Sequence, residues 1–376
     1  MDFFIFINMK KEKIMIVFGG KSVEHDISII TALQVIRVLP ERYEFLPVYI
    51  DKKGKWWIAD NLEDVEIYSN FDKKATKKKQ VTFVLGENVL LSKKHNKFAF
   101  ESKVDGVLNC CHGNIGEDGC VQGLCKICNL AQTSAGLLSS AVCMDKAVMK
   151  DVLKANGVKT PEYVVCDDFS YEKKDALKKI KFPLIIKPAN LGSSIAISVC
   201  KNEEEFDAAV ELAFKFDRKI VVEKLVENLR EFNCACFLYK GEYFVSAVNE
   251  VTNKGEIFSF DDKYLSQGGK TQEASKSLSA KIKKMTEKAY KILGCSGVVR
   301  IDFLFDEKAE TLFVNEANTI PGSLAFYLFK DIPFKELVNA LIDESFVELR
   351  IEESLIKIFD SSALENFEKV AENFKK

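Results

Sequence analysis

Four polar residues, Arg300, Asp302, Glu316 and Asn318, interrupt two runs, VVRIDFLF and TLFVNEAN, whose composition otherwise asks for burial. Both runs are rich in β-branched and aromatic residues and flank the polar stretch DEKAE, the pattern of a β-hairpin. With the turn centred on Ala309, Asp302 faces Glu316 and Arg300 faces Asn318, and the two-residue period of a strand turns all four to one side. Ile301, Phe303, Phe305, Phe313 and Ala317 then form the opposite, core face. Like charges set opposite one another on adjacent strands destabilise the pair, so a cation is expected between the carboxylates. Hard oxygen donors at this spacing suit Mg²⁺, which completes its shell with water and substrate phosphates. Asp302, Glu316 and Asn318 therefore read as a metal-nucleotide site, with Arg300 available to an anion. The simpler alternative is an Arg300–Glu316 ion pair on a solvated sheet face.

Further candidates fall on loops beyond strand ends, where open α/β sheets bind ligands. IMIVFGG reads as a strand ending in Gly19 and Gly20 and followed by an amphipathic helix, which puts Glu24 to Ser28 above the strand end. Capping of that helix by Ser22 or Glu24 is the competing role. VDGVLNCCHGNIGEDG repeats the plan: His112 follows a strand directly, and Gly113, Gly116 and Gly119 permit close backbone approach to a ligand. The first of these loops lacks the G-x-G-x-x-G spacing of a dinucleotide fingerprint. FPLIIKPANLGSSIAISV is strand, small-residue loop, strand. Its loop N–H groups, with Lys187 at the entry, suit phosphate oxygens, although the spacing is not that of a Walker A loop. KIVVEKLVENLREFNCACF reads as two strands around a short turn, with Glu223 and Glu231 placed to accept hydrogen bonds from a ribose or an amine. IFSFDDKYLSQGG is lid-like.

The elements that must hold these groups fit an α/β chain of two or three domains, since 376 residues exceed one compact core. FLPVYIDKKGKWWIA gives two strands, and the stretch to about Lys103 reads as charged and irregular. The span AVCMDKAVMKDVLKANG reads as one helix stopped by Asn156-Gly157. SLSAKIKKMTEKAYKILG is a second helix, and residues 334–376 read as amphipathic helical packing. Fifty-four basic residues against 56 acidic ones leave a net charge of -2, no footprint for nucleic acid or an anionic membrane. Lys73, Lys74 and Lys77 to Lys79 read as a solvated loop. The apolar MDFFIFIN is far too short to span a bilayer and reads as an upstream extension before Met9, so a cytoplasmic enzyme is expected. Eleven cysteines in such a chain read as thiols; Cys125 and Cys128, with a helix's packed side to occupy, argue against zinc.

Eight ordered stretches, FGGKSVEHDIS, HGNIGEDGCVQG, Met-Asp-Lys ending at Lys146, KPANLGSS, VEKLVENLRE, DDKYLS, SGVVRIDF and NEANTIPG, together make the chain resemble the D-alanine:D-alanine ligases of the ATP-grasp superfamily over roughly residues 14–330. The resemblance implies an ATP-grasp fold behind an N-terminal doubly wound, Rossmann-like α/β domain: residues 1–134 on the substrate side, a central subdomain at 135–223, and a C-terminal subdomain at 224–376 with the metal site. It implies a ligase that forms a D-alanyl phosphate from ATP and D-alanine and passes it to a second D-alanine, for peptidoglycan precursor synthesis. D-Alanine:D-serine ligation or another carboxylate-amine ligation is the alternative. Carried over by motif, Asp302, Glu316 and Asn318 bind two Mg²⁺ ions, with Mn²⁺ as a substitute, and Lys146, Lys187, Glu223, Lys224, Glu231 and Asn315 contact ATP. Glu24 holds the first substrate's ammonium, with Ser193 and Tyr264 linked to it, and Arg300 stabilises the oxyanion with the backbone after Gly322. His112, Lys263, Gly322, Ser323 and Leu324 line the amino-acid sites, and an intact Lys263-Tyr264 pair favours an amine over a hydroxyl acceptor. One departure stands out: many family members have PG-x-T-x-x-S-L, whereas PGSLAFYLF puts Ser323 and Leu324 directly after the glycine. Small-molecule partners and a homodimer are expected.

Overall fold

A computed structural model describes residues 11–95, 97–167, 173–251, 274–361, 363–364 and 366–367. The first sheet holds β1 (Lys13–Gly19), β2 (Glu44–Ile50), β3 (Trp56–Ile58), β4 (Lys79–Phe83), β5 (Val89–Lys94), β6 (Lys97–Lys103), β7 (Gly106–Asn109) and β8 (Ala131–Gln132), in the order β6-β5-β4-β3-β2-β1-β7-β8. β1 runs parallel to β2 and β7, and β7 to β8, whereas β2 to β6 form an antiparallel meander. Three of those strands fall where the sequence reads as irregular. Each turns few side chains inward, Val81 on β4 and Leu90 on β5 among them, so their lysines mask the two-residue period. The basic cluster is likewise partly ordered: Lys77 pairs with Asp60, Lys78 with Asp72 and Lys79 with Glu101.

An antiparallel four-stranded sheet follows, β11-β10-β12-β9, from β9 (Tyr163–Asp167), β10 (Leu184–Pro188), β11 (Ser198–Cys200) and β12 (Lys219–Lys224). The last sheet contains β13 (Leu229–Tyr239), β14 (Glu242–Val245), β15 (Asn249–Val251), β16 (Val299–Asp306) and β17 (Thr311–Asn318), in the order β14-β13-β16-β17 with β15 also on β13. β12 and β13 are therefore not a hairpin: the short link between them passes from one sheet to the next. This follows from burial, since β12 packs against the Glu203–Phe214 helix while β13 packs under the Lys276–Ile292 helix.

The expected single helix around Lys146 is two, Leu137–Met144 and Lys146–Ala155. Asp145 breaks it with an extended backbone, and its carboxylate accepts from the N–H groups of Ala147 and Val148, capping the second helix. At the other end of the chain, the Phe334–Ser354 helix buries Leu337, Val338 and Leu341 against β7 and β8 of the first sheet and against β13. Residues 355–361 carry on beyond it without helix. Ten of the cysteines are at least partly buried and Cys120 is exposed; Cys111, Cys125 and Cys128 pack among Val107, Val121 and Leu130, and burial raises each of these three thiol pKa values. Among the described residues no helix is long and apolar enough to cross a membrane.

Candidate active site

The polar hairpin forms with the expected pairing at its open end: Arg300 faces Asn318 and Asp302 faces Glu316. Between Asp302 and Phe303 the register shifts, so that Phe303 faces Val314 and Asn315 is an extra residue on β17. This bulge corrects the predicted core face. Leu312 and Val314 are buried with Ile301 and Phe303, while Phe313 is only partly buried and lies on the other side. Ala317 is inward as expected. Arg300 has a partner on its own strand. Its Nε and Nη2 donate to the two oxygens of Asp302 at 2.6 and 2.8 Å, and Asn318 Nδ2 donates to Asp302 Oδ2 at 3.0 Å. Two facing carboxylates with an amide beside them form a hard-oxygen donor set that fits Mg²⁺.

The bulge sends Asn315 toward the four-stranded sheet. Lys187 Nζ donates to Asn315 Oδ1 at 3.0 Å, and Lys150 Nζ to the Asn315 carbonyl at 3.0 Å. The same two ammonium groups straddle Glu223, at 2.8 Å for Lys187 and 3.2 Å for Lys150. Burial pushes Lys150 down to about 8 against the pull of Glu223, while the lysines hold Glu223 below the usual carboxylate range despite its burial. Glu223, expected to accept from a ligand, thus gives both oxygens to lysines. Lys146, at the start of its helix, is buried and donates to the Leu191 carbonyl. Lys224 donates to the carbonyls of Lys181 and Phe182, and Glu231 lies on β13 opposite Val251 and Leu304.

Around the first sheet, Glu24 precedes the His25–Ile36 helix but does not cap it, and neither does Ser22, whose hydroxyl accepts from the Glu24 N–H. The buried Glu24 carboxylate instead accepts from Ser193 Oγ, on the loop after β10. A Cβ on Gly192 would sit 2.6 Å from Glu24 Oε2, so only glycine lets this loop approach so closely. The glycines after His112 serve a similar end: a Cβ on Gly116 would overlap the Cys111 carbonyl at 1.8 Å, so that glycine admits the loop's own backbone rather than a ligand. His25 and Ser28 are structural. The His25 ring bridges the Gly20 carbonyl and the Tyr49 hydroxyl, and Ser28 ties Gly19 to Cys110.

His112 is buried, with Nε2 at 2.8 Å from Thr31 Oγ1, which also accepts from the Ser323 N–H at 3.0 Å; burial, with the Arg300 charge adding to it, pushes the imidazole down to about 3. Glu117 accepts from the N–H groups of Gly113 and Ile320 at 2.8 and 2.9 Å, and burial with the nearby Glu24 charge pushes it up to about 8. Gly322, Ser323 and Leu324 open the turn of Gly322–Leu328, in which Ser323 and Leu324 take left-handed backbone at φ 55° and 50°. Lys263 and Tyr264 lie outside the described residues, as does the lid-like stretch around them. Three participants escape sequence reading: Lys150, Glu117 and Thr31. Lys150 follows Lys146 by four residues, one helical turn, which is a usable signal; Glu117 stands within GEDG; Thr31 carries none, because its partners lie 81 and 292 residues away.

Comparison with known proteins adds an independent finding. The family described as D-ala D-ala ligase N-terminus matches residues 13–135, and D-ala D-ala ligase C-terminus matches residues 152–343. The D-alanine--D-alanine ligase of Thermosipho melanesiensis is 39% identical over 339 residues, covering 87% of this chain and 92% of that protein. That of Chloroherpeton thalassium is 35% identical over 356 residues, covering 89% and 96%. Among solved structures, the D-alanine-D-alanine ligase from Coxiella burnetii is similar with a TM-score of 0.78 at 27% identity, covering 92% of this chain and 97% of that one. VanG D-Ala:D-Ser ligase from Enterococcus faecalis is similar at 0.76 and 26%, covering 89% and 100%.

Proposed function

The chain belongs to the D-alanine–D-alanine ligase family, and on that premise we propose how its residues join two D-alanines at the expense of ATP for peptidoglycan precursor synthesis. The carboxylate of the first D-alanine attacks the γ-phosphorus of ATP. An O–P bond forms as the bond to the β-phosphate oxygen breaks, and ADP leaves with the electron pair. The amine of the second D-alanine then attacks the acyl carbon, phosphate leaves, and the nitrogen loses a proton. A carboxylate is a poor acylating agent until phosphorylated, and phosphoryl transfer needs positioning and cations more than covalent help.

In this proposal Glu24 holds the first ammonium and is itself held by Ser193, with Tyr264 completing the link. Lys146 and Lys187 face the phosphates, and Glu223, paired with Lys187 and Lys150, contacts the nucleotide. Lys224, Glu231 and Asn315 complete the nucleotide's surroundings. Asp302, Glu316 and Asn318 would hold Mg²⁺, one ion or two, with Mn²⁺ as a substitute; bound there, the metal neutralises charge that develops on the transferring phosphoryl group. Arg300, tied to Asp302 at the open end of the hairpin, and the backbone after Gly322 receive the oxyanion. Neutral His112, with Lys263, Ser323 and Leu324, lines the amino-acid sites. The division into residues 1–134, 135–223 and 224–376, a cytoplasmic location beside its ATP supply, and a homodimer belong to the same proposal.

The single observation that carries it is the Ser193–Glu24 hydrogen bond, which brings the glycine- and serine-containing loop of the second sheet onto the rim of the first. The deciding experiment offers labelled D-alanine and ATP with equal D-alanine, D-serine and D-lactate from pH 6 to 9. Predominant D-alanyl-D-alanine, rising as the amine deprotonates, is the expected result. Predominant D-alanyl-D-serine would transfer the assignment to the PGSLAF turn, and predominant depsipeptide at pH 7.5 would overturn the amine acceptor.

A further inference from the structure

A β-bulge leaves one residue without an opposite number, and something must satisfy the backbone group it strands. At the bulge in β17 that residue is Asn315, directly before Glu316. Its carbonyl accepts from Lys150 Nζ at 3.0 Å, and the Lys150 side chain is fully buried, with 0% exposure, so water does not compete for the place. Lys187 takes the side-chain oxygen of the same asparagine, and Glu223 pairs with both lysines. Two strands of the central sheet, the Lys146–Ala155 helix and the hairpin are joined through one extra residue.

The alternative to the bulge is regular pairing. Continuing the register of Phe303 with Val314 would bring Asn315 opposite Asp302, and the two-residue period would turn Glu316 to the core face beside Ile301. Glu316 keeps its place opposite Asp302 only while Asn315 stays extruded. We propose that Lys150 is a positioning residue for the reaction: by donating to the extruded Asn315 carbonyl it selects the bulged register, and so aims Glu316 at the metal. The inference rests on the reading of Asp302, Glu316 and Asn318 as metal ligands given above, and goes beyond it by assigning the register to a lysine that touches neither metal nor substrate.

The test compares Lys150→Met, which keeps the buried stem and loses the donor, with Lys150→Gln, which keeps an N–H donor without the charge. For each folded variant two quantities are measured: the Mg²⁺ concentration giving half-maximal ADP formation at saturating ATP, and Mn²⁺ binding to the enzyme–ADP complex by electron paramagnetic resonance. Lys150→Met is expected to raise the half-saturating Mg²⁺ and weaken Mn²⁺ binding by at least about tenfold while leaving the KM for D-alanine within about threefold, and Lys150→Gln to keep both metal quantities within about threefold. A folded Lys150→Met with unchanged metal demand, or a Lys150→Gln that loses metal tenfold or more, would overturn the proposal. Should Lys150→Met not fold, the Lys150→Gln result decides alone. Glu316→Gln is measured in parallel: if it too leaves Mn²⁺ binding unchanged, the metal reading itself is what fails, whereas loss in Glu316→Gln without loss in Lys150→Met rejects only the role of Lys150.

Discussion

Glu316 and His112 show what the site demands of single residues. Glu316 stands opposite Asp302 on the neighbouring strand, where a bound cation would lie between the two carboxylates. Glu316→Gln should lower kcat about a thousandfold while the protein still folds, the scale of several kcal/mol of charge stabilisation. Near-normal turnover at saturating Mg²⁺ would remove the hairpin from the chemistry. His112 is held neutral in a pH range where a surface histidine would already be protonated. Its folded value of about 3 lies below the ordinary 6.5, so between those values the unfolded chain binds the extra proton. Its contribution to stability is thus present above pH 6.5 and lost as pH falls toward 3, with a slope of up to about 1.4 kcal/mol per pH unit. His112→Gln should flatten denaturant-measured stability between pH 6.5 and 4 relative to the unmodified protein; parallel curves would show that His112 is not held neutral.

At the scale of elements, loops succeed by how closely they approach one another. The loop after β10 reaches Glu24 only because Gly192 has no side chain. Gly192→Ala should push the Glu24 carboxylate from Ser193 and raise the KM for the first D-alanine by about tenfold or more, with little change in KM for ATP. Equal effects on both substrates would mean that the loop as a whole has moved. Much of this level is legible in the residues: the strands that lead to Gly19, to the His112 loop and to Lys187, and the facing of Asp302 with Glu316, all follow from period and composition, although the strand before His112 ends earlier, at Asn109. The bulge does not. Asn315 looks like any other residue in TLFVNEAN, and its extruded position is met by two buried lysines, Lys187 of the central sheet and Lys150 of the Lys146–Ala155 helix, which no local pattern encodes. The break at Asp145 is hidden for a similar reason, since its residues all suit a continuous helix and the turn is held by capping and by Lys219 from β12.

For the whole molecule, the candidate site is assembled from three sheets, and ligands that bind across them should stabilise all three together. A non-hydrolysable ATP analogue with Mg²⁺ at a hundred times its Kd should add about 2.7 kcal/mol to stability. By differential scanning fluorimetry the Mg²⁺-dependent part of that shift should vanish in Glu316→Gln, while the nucleotide-only part remains. An identical shift in both proteins would place the metal's contacts elsewhere. The first sheet joins the last through long-range bonds of the same kind: Glu117 accepts from the Ile320 N–H, and Thr31 from the Ser323 N–H.

By itself the sequence determined which groups are available and which strands and loops carry them, because hydrophobic period, glycine placement and motif order are local properties of the chain. It also carried enough ordered motifs to identify the family. Tertiary structure alone decided how those groups are spent: that Arg300 is held by Asp302, that Glu223 serves two lysines, and that His112 and Glu117 are buried and displaced in opposite directions from their ordinary pKa values. Partners for a buried charge come from whichever elements pack over it, often a hundred residues away. Burial, which sets the strength and sign of every electrostatic effect at the site, exists only once those elements have met.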